Sequence, residues 1–259
     1  LNIPSVQTGD NATAAASYAS TLGDDALIVV FEPDSVRAYP RQGLLYYPVL
    51  PVADDPPAEA FEVGEAYELR TNFQDAIRYF QQLAQTPDTS IRAEALLRLA
   101  RNQRKAKQYD AALETYHSLA RVDAFVFGRP AELVARRSRC DVLKVLGRQE
   151  QLQSEARELD DLIQSGRWML TAATYRNHTD DVHNWLGGEA SSSSPNESPA
   201  SRRFGPAVAA AVDGLWVRWV KDPQDEDMLG GAESRVVDGQ VLSLLWSGTG
   251  TRLVTLVAG

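Results

Sequence analysis

The hydrophobic positions in the middle of the chain recur at helical spacing. From residue 57 to residue 187, apolar residues return every three or four positions, and short polar or Gly- and Pro-containing breaks separate the runs. This period places apolar side chains on one face of an α-helix. The pattern predicts helices over residues 58–70, 73–86, 89–106, 109–122, 130–146, 149–165 and 168–186.

The N-terminal part of the chain has the pattern of β-strands instead. Residues 26–31 form a β-branched apolar run, Ala-Leu-Ile-Val-Val-Phe, which predicts a strand. Residues 36–39 and 44–47 predict two further short strands. Pro40 and Pro48 restrict these two strands to the edges or ends of a sheet, because proline cannot donate a ladder hydrogen bond.

The C-terminal part combines a helix with strands. Pro206 stands at a first-turn position, and the apolar residues from Val208 to Trp219 give the following helix one apolar face. Strand patterns then follow around Asp238-Gly239, a pair that suits a tight hairpin turn. Because a two-stranded ribbon alone is only marginally stable, we expect residues 27–31 to join this hairpin in a small sheet.

Together these patterns predict a mainly α protein with a small β-sheet built from its N- and C-terminal segments, in the α+β class. The expected segments are a lead-in over residues 1–25, an N-terminal strand segment over 26–52, a helical repeat array over 57–187, a Ser/Pro-rich linker over 188–203, and a helix plus β-hairpin over 204–259. The linker contains Ser191-Ser-Ser-Ser-Pro195 and offers too little apolar surface to fold.

Two copies of one pattern lie within the predicted helices. Phe73-Gln-Asp-Ala76 returns 36 positions later as Tyr109-Asp-Ala-Ala112. An offset of that size is typical of one helix-turn-helix unit stacked on another.

These pairs of helices resemble tetratricopeptide repeats. In that family, a small residue on the first helix packs against a small or aromatic residue on the second. The positions that match are Gly64 with Ala76 and Phe80, and Ala100 with Ala112 and Tyr116. The alternative is an irregular helical bundle that uses the same small-residue packing.

A third unit departs from the pattern. Gly147 matches the turn glycine, but the offset from Ala112 to Leu152 has grown to 40 positions. Cys140 also stands where the family usually has a small residue. We interpret Cys140 as a buried structural thiol, because it lies among apolar residues on a helical pattern.

The resemblance implies a binding surface, since the first helix of each pair lines the concave face of arrays in this family. Counting from the matched small residues gives the positions on that side. They are Glu65, Glu68 and Leu69 of the first pair, Leu97, Arg101, Arg104 and Lys105 of the second, and Arg137, Asp141 and Lys144 of the third.

The second and third pairs would therefore present a basic stripe. Such a stripe is suited to hold a carboxylate, an acidic peptide, or a sulfated or phosphorylated group through charge-assisted hydrogen bonds. The alternative is a solvated charged face that the surrounding acidic residues balance. A formal net charge of −9 argues against nucleic acid as the partner, because nucleic-acid binding requires a basic surface.

Signals for catalysis or a cofactor are weak. Ser247-Gly-Thr-Gly-Thr251 resembles part of a phosphate-binding loop, but a strand pattern follows it, so we interpret it as a hairpin turn. His178 and His183 lie five positions apart and would point in different directions on a helix, which disfavours a metal site. We therefore predict no catalytic residue, no cofactor and no metal.

Several short segments of the sequence resemble a second, more specific group of proteins. Over roughly residues 20–259, the chain is similar to the N-terminal, extracytoplasmic sensor region of bacterial membrane-bound histidine kinases, notably acidobacterial ones. The segments include Gly64-Glu-Ala-Tyr-Glu-Leu69, Leu146-Gly-Arg148, Gly166-Arg-Trp168, Trp185-Leu-Gly187 and Ala211-Val-Asp-Gly-Leu-Trp216.

This second resemblance implies a non-catalytic input module, located in the periplasm, of a two-component system. The parent chain would be anchored in a membrane, with its phosphorylatable histidine and ATP-binding segments beyond a transmembrane helix. The partner would be an unknown peptide, protein or small anionic ligand, and a second copy of the chain, in a homodimer, is a further candidate. The alternative is a cytosolic tetratricopeptide scaffold that binds acidic peptides or a partner protein.

Overall fold

The computed structural model describes residues 26–40, 43–51, 56–187, 205–237 and 240–258. The predicted lead-in over 1–25, the predicted linker over 188–203 and the predicted Asp238-Gly239 turn lie outside the described residues. None of the described helices has both the length and the apolar character that a bilayer crossing requires.

The described residues divide into two compact units. Those within Val52–Asp160 and Asp180–Ala190 form one, which we call the array unit, and those within Leu1–Pro51, Asp161–Thr179 and Ser191–Gly259 form the other, the sheet unit.

Paired helices make up the middle of the chain. They are a 3-10 helix at Ala58–Ala60, α1 at Glu62–Leu69, α2 at Phe73–Leu83, α3 at Thr89–Lys105, α4 at Tyr109–Leu119, α5 at Ala131–Val145, α6 at Gln149–Gln164 and α7 at Ala172–Trp185. Each helix from α1 to α4 packs against the next one along the chain. The mainly helical repeat array is thus confirmed.

The small residues sit where the repeat pattern requires them. A Cβ atom added at Gly64 would lie 2.2 Å from Cζ of Phe80, so the absence of a side chain lets α1 approach α2. In the second pair, Ala100, Ala112 and Tyr116 are all buried. These packed positions form the core of the array unit.

The turn inside each pair has the same geometry. Thr71, Lys107 and Gly147 occupy the left-handed region, with φ of 55°, 61° and 67°. The next amide then donates to the carbonyl five residues earlier, in the bonds Asn72 to Tyr67 (2.9 Å), Gln108 to Gln103 (2.8 Å) and Arg148 to Leu143 (3.1 Å). This satisfies a carbonyl that the end of a helix leaves unpaired. The third pair thereby repeats the first two, despite its longer offset.

Two predicted helices differ from the observed ones at their starts. The helix predicted over 58–70 is divided at Phe61 into the 3-10 helix and α1. The helix predicted over 168–186 begins only at Ala172, since the hydroxyl of Thr171 accepts a hydrogen bond from the amide of Thr174 at 3.2 Å and caps that end.

The strands of the sheet unit come from both ends of the described chain. They are β1 at Ala26–Glu32, β2 at Ser35–Tyr39, β5 at Gly230–Val237, β6 at Gln240–Thr249 and β7 at Arg252–Ala258, and they form an antiparallel sheet in the order β2-β1-β7-β6-β5. The register places Ala26 opposite Ala258 and Phe31 opposite Leu253. The prediction that residues 27–31 join the C-terminal hairpin is confirmed.

A tryptophan-rich helix covers one face of the sheet. This helix, α8, runs over Pro206–Lys221 and is followed by the short α9 at Glu226–Leu229. The Phe31 ring of β1 lies 5.4 Å from Trp216 in an edge-on arrangement and 6.1 Å from Trp219. Trp219 also donates its indole N–H to the carbonyl of Thr249 at 3.4 Å. The aromatic cluster therefore fixes α8 on the sheet.

The strand predicted over residues 44–47 is wrong. The segment has no strand pairing, and its four side chains are all buried rather than alternately buried and exposed. Its amide at Tyr47 donates to the carbonyl of Leu170 at 2.7 Å, which ties the segment to the stretch before α7. An irregular segment can satisfy its buried backbone in this way without a sheet.

Candidate functional site

Two arginines of the predicted stripe are available on the surface of α3. Arg101 and Arg104 are both exposed, and neither forms an ion pair with any other described residue. Both belong to the last two turns of a helix in which Leu97 and Ala100 are buried. Their guanidinium groups can therefore accept an external anion without first losing an internal partner.

Tyr116 connects these arginines to the next pair of helices. Burial raises the pKa of its phenol, whose titration also responds to the charges of Arg104, Arg101 and Asp141. The groups that act on this phenol thus come from both α3 and α5. Asp141 contributes a negative charge to the same place.

Arg137 is already engaged. Its guanidinium contacts Asp141 on α5 at 3.0 Å and Asp181 on α7 at 2.8 Å. Two carboxylates around one guanidinium leave little attraction for a further anion. Lys144 lies two helical turns further along α5 and is exposed.

The acidic residues predicted on the same side serve packing between pairs. Glu65 on α1 contacts Arg98 on α3 at 2.8 Å. Glu68 on α1 accepts a hydrogen bond from the buried amide of Asn102. Both carboxylates thus connect α1 to α3.

Two other predicted positions differ from the expectation. Lys105 lies with its ammonium group 5.5 Å from the centre of the Phe73 ring, against the start of α2. Leu97, predicted on the concave side, is only 4 % exposed and so offers little surface to a partner. A short strand at Phe125–Val126 packs against α3, so that helix is covered by more than its neighbouring helices.

A small hairpin between α4 and α5 was not predicted. Its strands are β3 at Phe125–Val126 and β4 at Arg129–Pro130, joined by a two-residue turn in which φ is 51° at Phe127 and 68° at Gly128. Val126 is buried, whereas Phe125 is 45 % exposed and Phe127 is 50 % exposed. The insertion accounts for the stretched offset between the second and third pairs.

The sequence contained part of this signal. Phe125-Val-Phe-Gly128 is rich in aromatic and β-branched residues and ends in glycine, which is typical of a strand entering a turn. The first residue of the turn is Phe127, whereas turns of this type usually have Asn-Gly or Gly-Gly. The usual sequence signature of the turn is therefore missing.

The hairpin reaches the same helix that carries Arg101 and Arg104. The guanidinium carbon of Arg98 lies 5.9 Å from the Phe127 ring centre and 4.8 Å from that of Phe61. Arg98 also contacts Glu94 at 2.7 Å, and its side chain is only 13 % exposed. Arg98 is therefore a structural cation, surrounded by aromatic rings and carboxylates.

A cavity of about 520 Å³ lies elsewhere, between α4, α5 and α6. Its cations are paired: Arg139 donates to Glu155 at 3.0 Å, and Arg148 donates to Asp110 at 2.7 Å. This cavity is less suited to an anionic partner than the surface around Arg101.

Reactive groups are scarce in the part of the chain that the structure describes. That part contains no cluster of three or more histidine, cysteine or acidic side chains placed to hold a metal. Burial, more than the neighbouring carboxylates, raises the pKa of the Cys140 thiol to about 12, so the thiol stays protonated at neutral pH. The interpretation of Cys140 as a buried structural residue is confirmed.

Comparison with known proteins gives one match. The family model for the tetratricopeptide repeat matches residues 94–122, which include most of α3 and all of α4. This match supports a tetratricopeptide-repeat domain, a type that is typically non-catalytic and binds protein or peptide partners. No curated protein matches the chain, and no solved structure matches it.

Proposed function

We propose that the array unit binds a peptide, a protein segment or a small anionic ligand on the face that carries Arg101 and Arg104. The observation that carries this proposal is the pair of exposed arginines without ion-pair partners among the described residues. They lie within the stretch that the tetratricopeptide repeat model matches. Charge-assisted hydrogen bonds from guanidinium to carboxylate or phosphate are short and directional, so two adjacent arginines favour an anionic group.

Of the other residues assigned to this surface, Lys144 adds a positive charge, whereas Arg137 is shared with two carboxylates. Glu65, Glu68 and Lys105 mainly hold the repeats together. The binding energy is therefore expected to come chiefly from Arg101 and Arg104.

We further propose that this chain is the extracytoplasmic input domain of a membrane-anchored histidine kinase. This proposal is supported by short segments such as Leu146-Gly-Arg148 and Trp185-Leu-Gly187, which resemble the sensor regions of that group. In such a protein the bound partner favours one of two arrangements, and it shifts their equilibrium only by its differential affinity for them. A cytosolic scaffold remains the second candidate, because it would use the same face.

Binding can be tested by fluorescence anisotropy with fluorescein-labelled 12-residue peptides, one rich in Asp and Glu, one rich in Lys and one neutral. We expect only the acidic peptide to bind. Arg101→Ala combined with Arg104→Ala should weaken it by about tenfold or more, since hydrogen bonds to charged groups contribute about 1.5–3 kcal/mol each.

Arg157→Ala is the matched control, because Arg157 is exposed on α6, a second helix of a pair. The control should bind like the parent protein. If the acidic peptide binds the double variant and the parent protein equally, the proposed surface is wrong.

The cellular context can be tested in the parent gene. A sensor requires an apolar span of about 20 residues next to the region encoding this chain, together with a kinase segment beyond it. Flanks without such a span would favour the cytosolic scaffold.

A further inference from the structure

The β3–β4 hairpin displays two aromatic side chains on a firmly attached base. Phe125 and Phe127 are about half exposed, while Val126 between them is buried. The base is closed where the amide of Ala131 donates to the carbonyl of Ala124 at 2.9 Å. The strand β3 also packs against both α3 and α5. The two rings are therefore held in position at the surface by the array.

The conformation of the turn disfavours the residue that occupies it. Phe127 has a φ of 51°, a left-handed conformation that phenylalanine adopts against a steric cost and that glycine or asparagine adopts readily. An exposed ring gains little internal burial in exchange. A residue kept in an unfavourable conformation while half of its side chain stays exposed is a reason to look for a function of that side chain.

The hairpin lies beside the arginines of the proposed surface. The Phe127 ring is 5.9 Å from the guanidinium carbon of Arg98. Arg101 follows Arg98 by three residues on the same helix, so it lies on a neighbouring face about 4.5 Å further along the axis. Arg98 is already neutralised by Glu65 and Glu94. An incoming carboxylate would therefore meet Arg101 or Arg104.

We propose that the hairpin is the specificity element of the partner-binding surface, and this inference rests on the function proposed above. Phe125 and Phe127 take a bulky apolar side chain of a protein segment, whose nearby carboxylate pairs with Arg101 or Arg104. An extended segment advances about 3.3 Å per residue, so the acidic residue lies within about three positions of the apolar one. The partner is thus an acidic segment with an apolar anchor.

Two fluorescein-labelled 12-residue peptides test the proposal by anisotropy. One contains Leu and Phe within three positions of Asp and Glu, and the other has Ser in place of each apolar residue. The parent protein should bind the first about tenfold more tightly, because only that peptide can bury an apolar side chain.

The variant Phe125→Thr with Phe127→Asn should lose this preference and still bind both peptides weakly. Threonine keeps the strand propensity of its position, and asparagine tolerates the left-handed turn. Val236→Thr is the matched control, because Val236 is exposed in the sheet unit. The control should keep the full preference.

The outcomes separate this inference from the proposed function. If the double variant keeps the tenfold preference while Arg101→Ala with Arg104→Ala abolishes binding, the hairpin proposal is overturned and the proposed function stands. If neither double variant changes binding, both fail. If circular dichroism shows that Phe127→Asn alters the fold, the peptide preference of the single variant Phe125→Thr is measured instead, since this substitution leaves the turn unchanged. A preference that stays tenfold in this variant overturns the hairpin proposal.

Sedimentation of the parent protein tests the other occupant of this surface. A dimer that the hairpin substitutions dissociate would mean that the aromatic pair contacts a second copy, and this result would overturn the proposal.

Discussion

At the scale of single residues, Gly64 determines how closely the first two helices of the array approach. The Phe80 ring occupies the space that a side chain at residue 64 would need, and Phe80 is itself fully buried. Because the ring cannot swing out to solvent, an added methyl group must displace packed atoms. The glycine is therefore required by packing.

Gly64→Ala should destabilise the protein by about 1 kcal/mol. The overpacking cost of about 1–3 kcal/mol exceeds the gain of about 1 kcal/mol in helix propensity. Urea denaturation followed by circular dichroism measures the change. Phe80→Leu provides the control, because the added methyl should cost less beside the smaller leucine. Equal costs in both backgrounds would show that the ring is not the obstacle.

The position of a single residue could be predicted where its type fits only one geometry, as a glycine does at a close contact between two helices. Gly64 opposite Phe80 follows from the repeat pattern and is confirmed by the contact. The left-handed Phe127 was not predictable, since nothing in a phenylalanine indicates that its neighbours will hold it there. The occupancy of Arg137 by Asp181 depended on where α7 lies, which local sequence does not specify.

At the scale of elements, the start of α3 shows how one side chain fixes a boundary. Asp88 precedes the helix, and its carboxylate accepts hydrogen bonds from the amides of Ser90 at 2.9 Å and Ile91 at 3.0 Å. These amides would otherwise lack a partner at the helix start. The hydrogen bond from the Ile91 amide, followed by the one from the Ser90 hydroxyl, lowers the pKa of Asp88 from its ordinary value.

Asp88→Ala should lower the stability of the protein at neutral pH, and the difference should disappear in acid. Because the pKa of Asp88 is lower in the folded state than in the unfolded state, its stabilisation is complete above the unfolded pKa. It is lost as pH falls through the lower folded value. Thermal denaturation of both proteins between pH 7 and pH 2 measures the difference.

Asp88→Asn is the matched control, since asparagine also caps helices but does not titrate. It should retain most of the stability at pH 7. An Asp88→Ala deficit that persists unchanged at pH 2 would contradict the capping explanation.

Helices and strands were predicted best where a long run of regularly spaced apolar residues or a capping residue marked them. The helices from α2 to α6 agree with the prediction to within a few residues. The strand predicted over residues 44–47 is absent, because this apolar run is buried by tertiary contacts and has no strand partner. The β3–β4 hairpin was missed because strands of two residues are too short for any period to appear.

At the scale of the whole molecule, the sheet depends on a strand at the far C-terminal side. β7 lies between β1 and β6 and is the only connection between β2-β1 and β6-β5 in the described sheet. Its residues Leu253 and Val257 are fully buried. Without β7, two separate two-stranded ribbons would remain, and such ribbons are marginally stable.

Deletion of residues 252–259 should therefore abolish the packed state of the sheet unit. We expect the near-ultraviolet circular dichroism of its tryptophans to weaken and the binding of a hydrophobic dye to rise. Val254→Thr, a half-buried change within β7, serves as the control and should leave both signals near those of the parent protein. A truncated chain with an unchanged tryptophan signal would contradict the central role of β7.

The pairing of β1 with β7 also has a mechanical consequence. Ala26 and Ala258 face each other at one end of this antiparallel ladder, and Phe31 and Leu253 face each other at the other end. A tension applied between residues 26 and 258 would act across the ladder and load one pair of hydrogen bonds at a time. The two strands would then peel apart from the Ala26 end at low force, whereas strands pulled along their length must break all their bonds together.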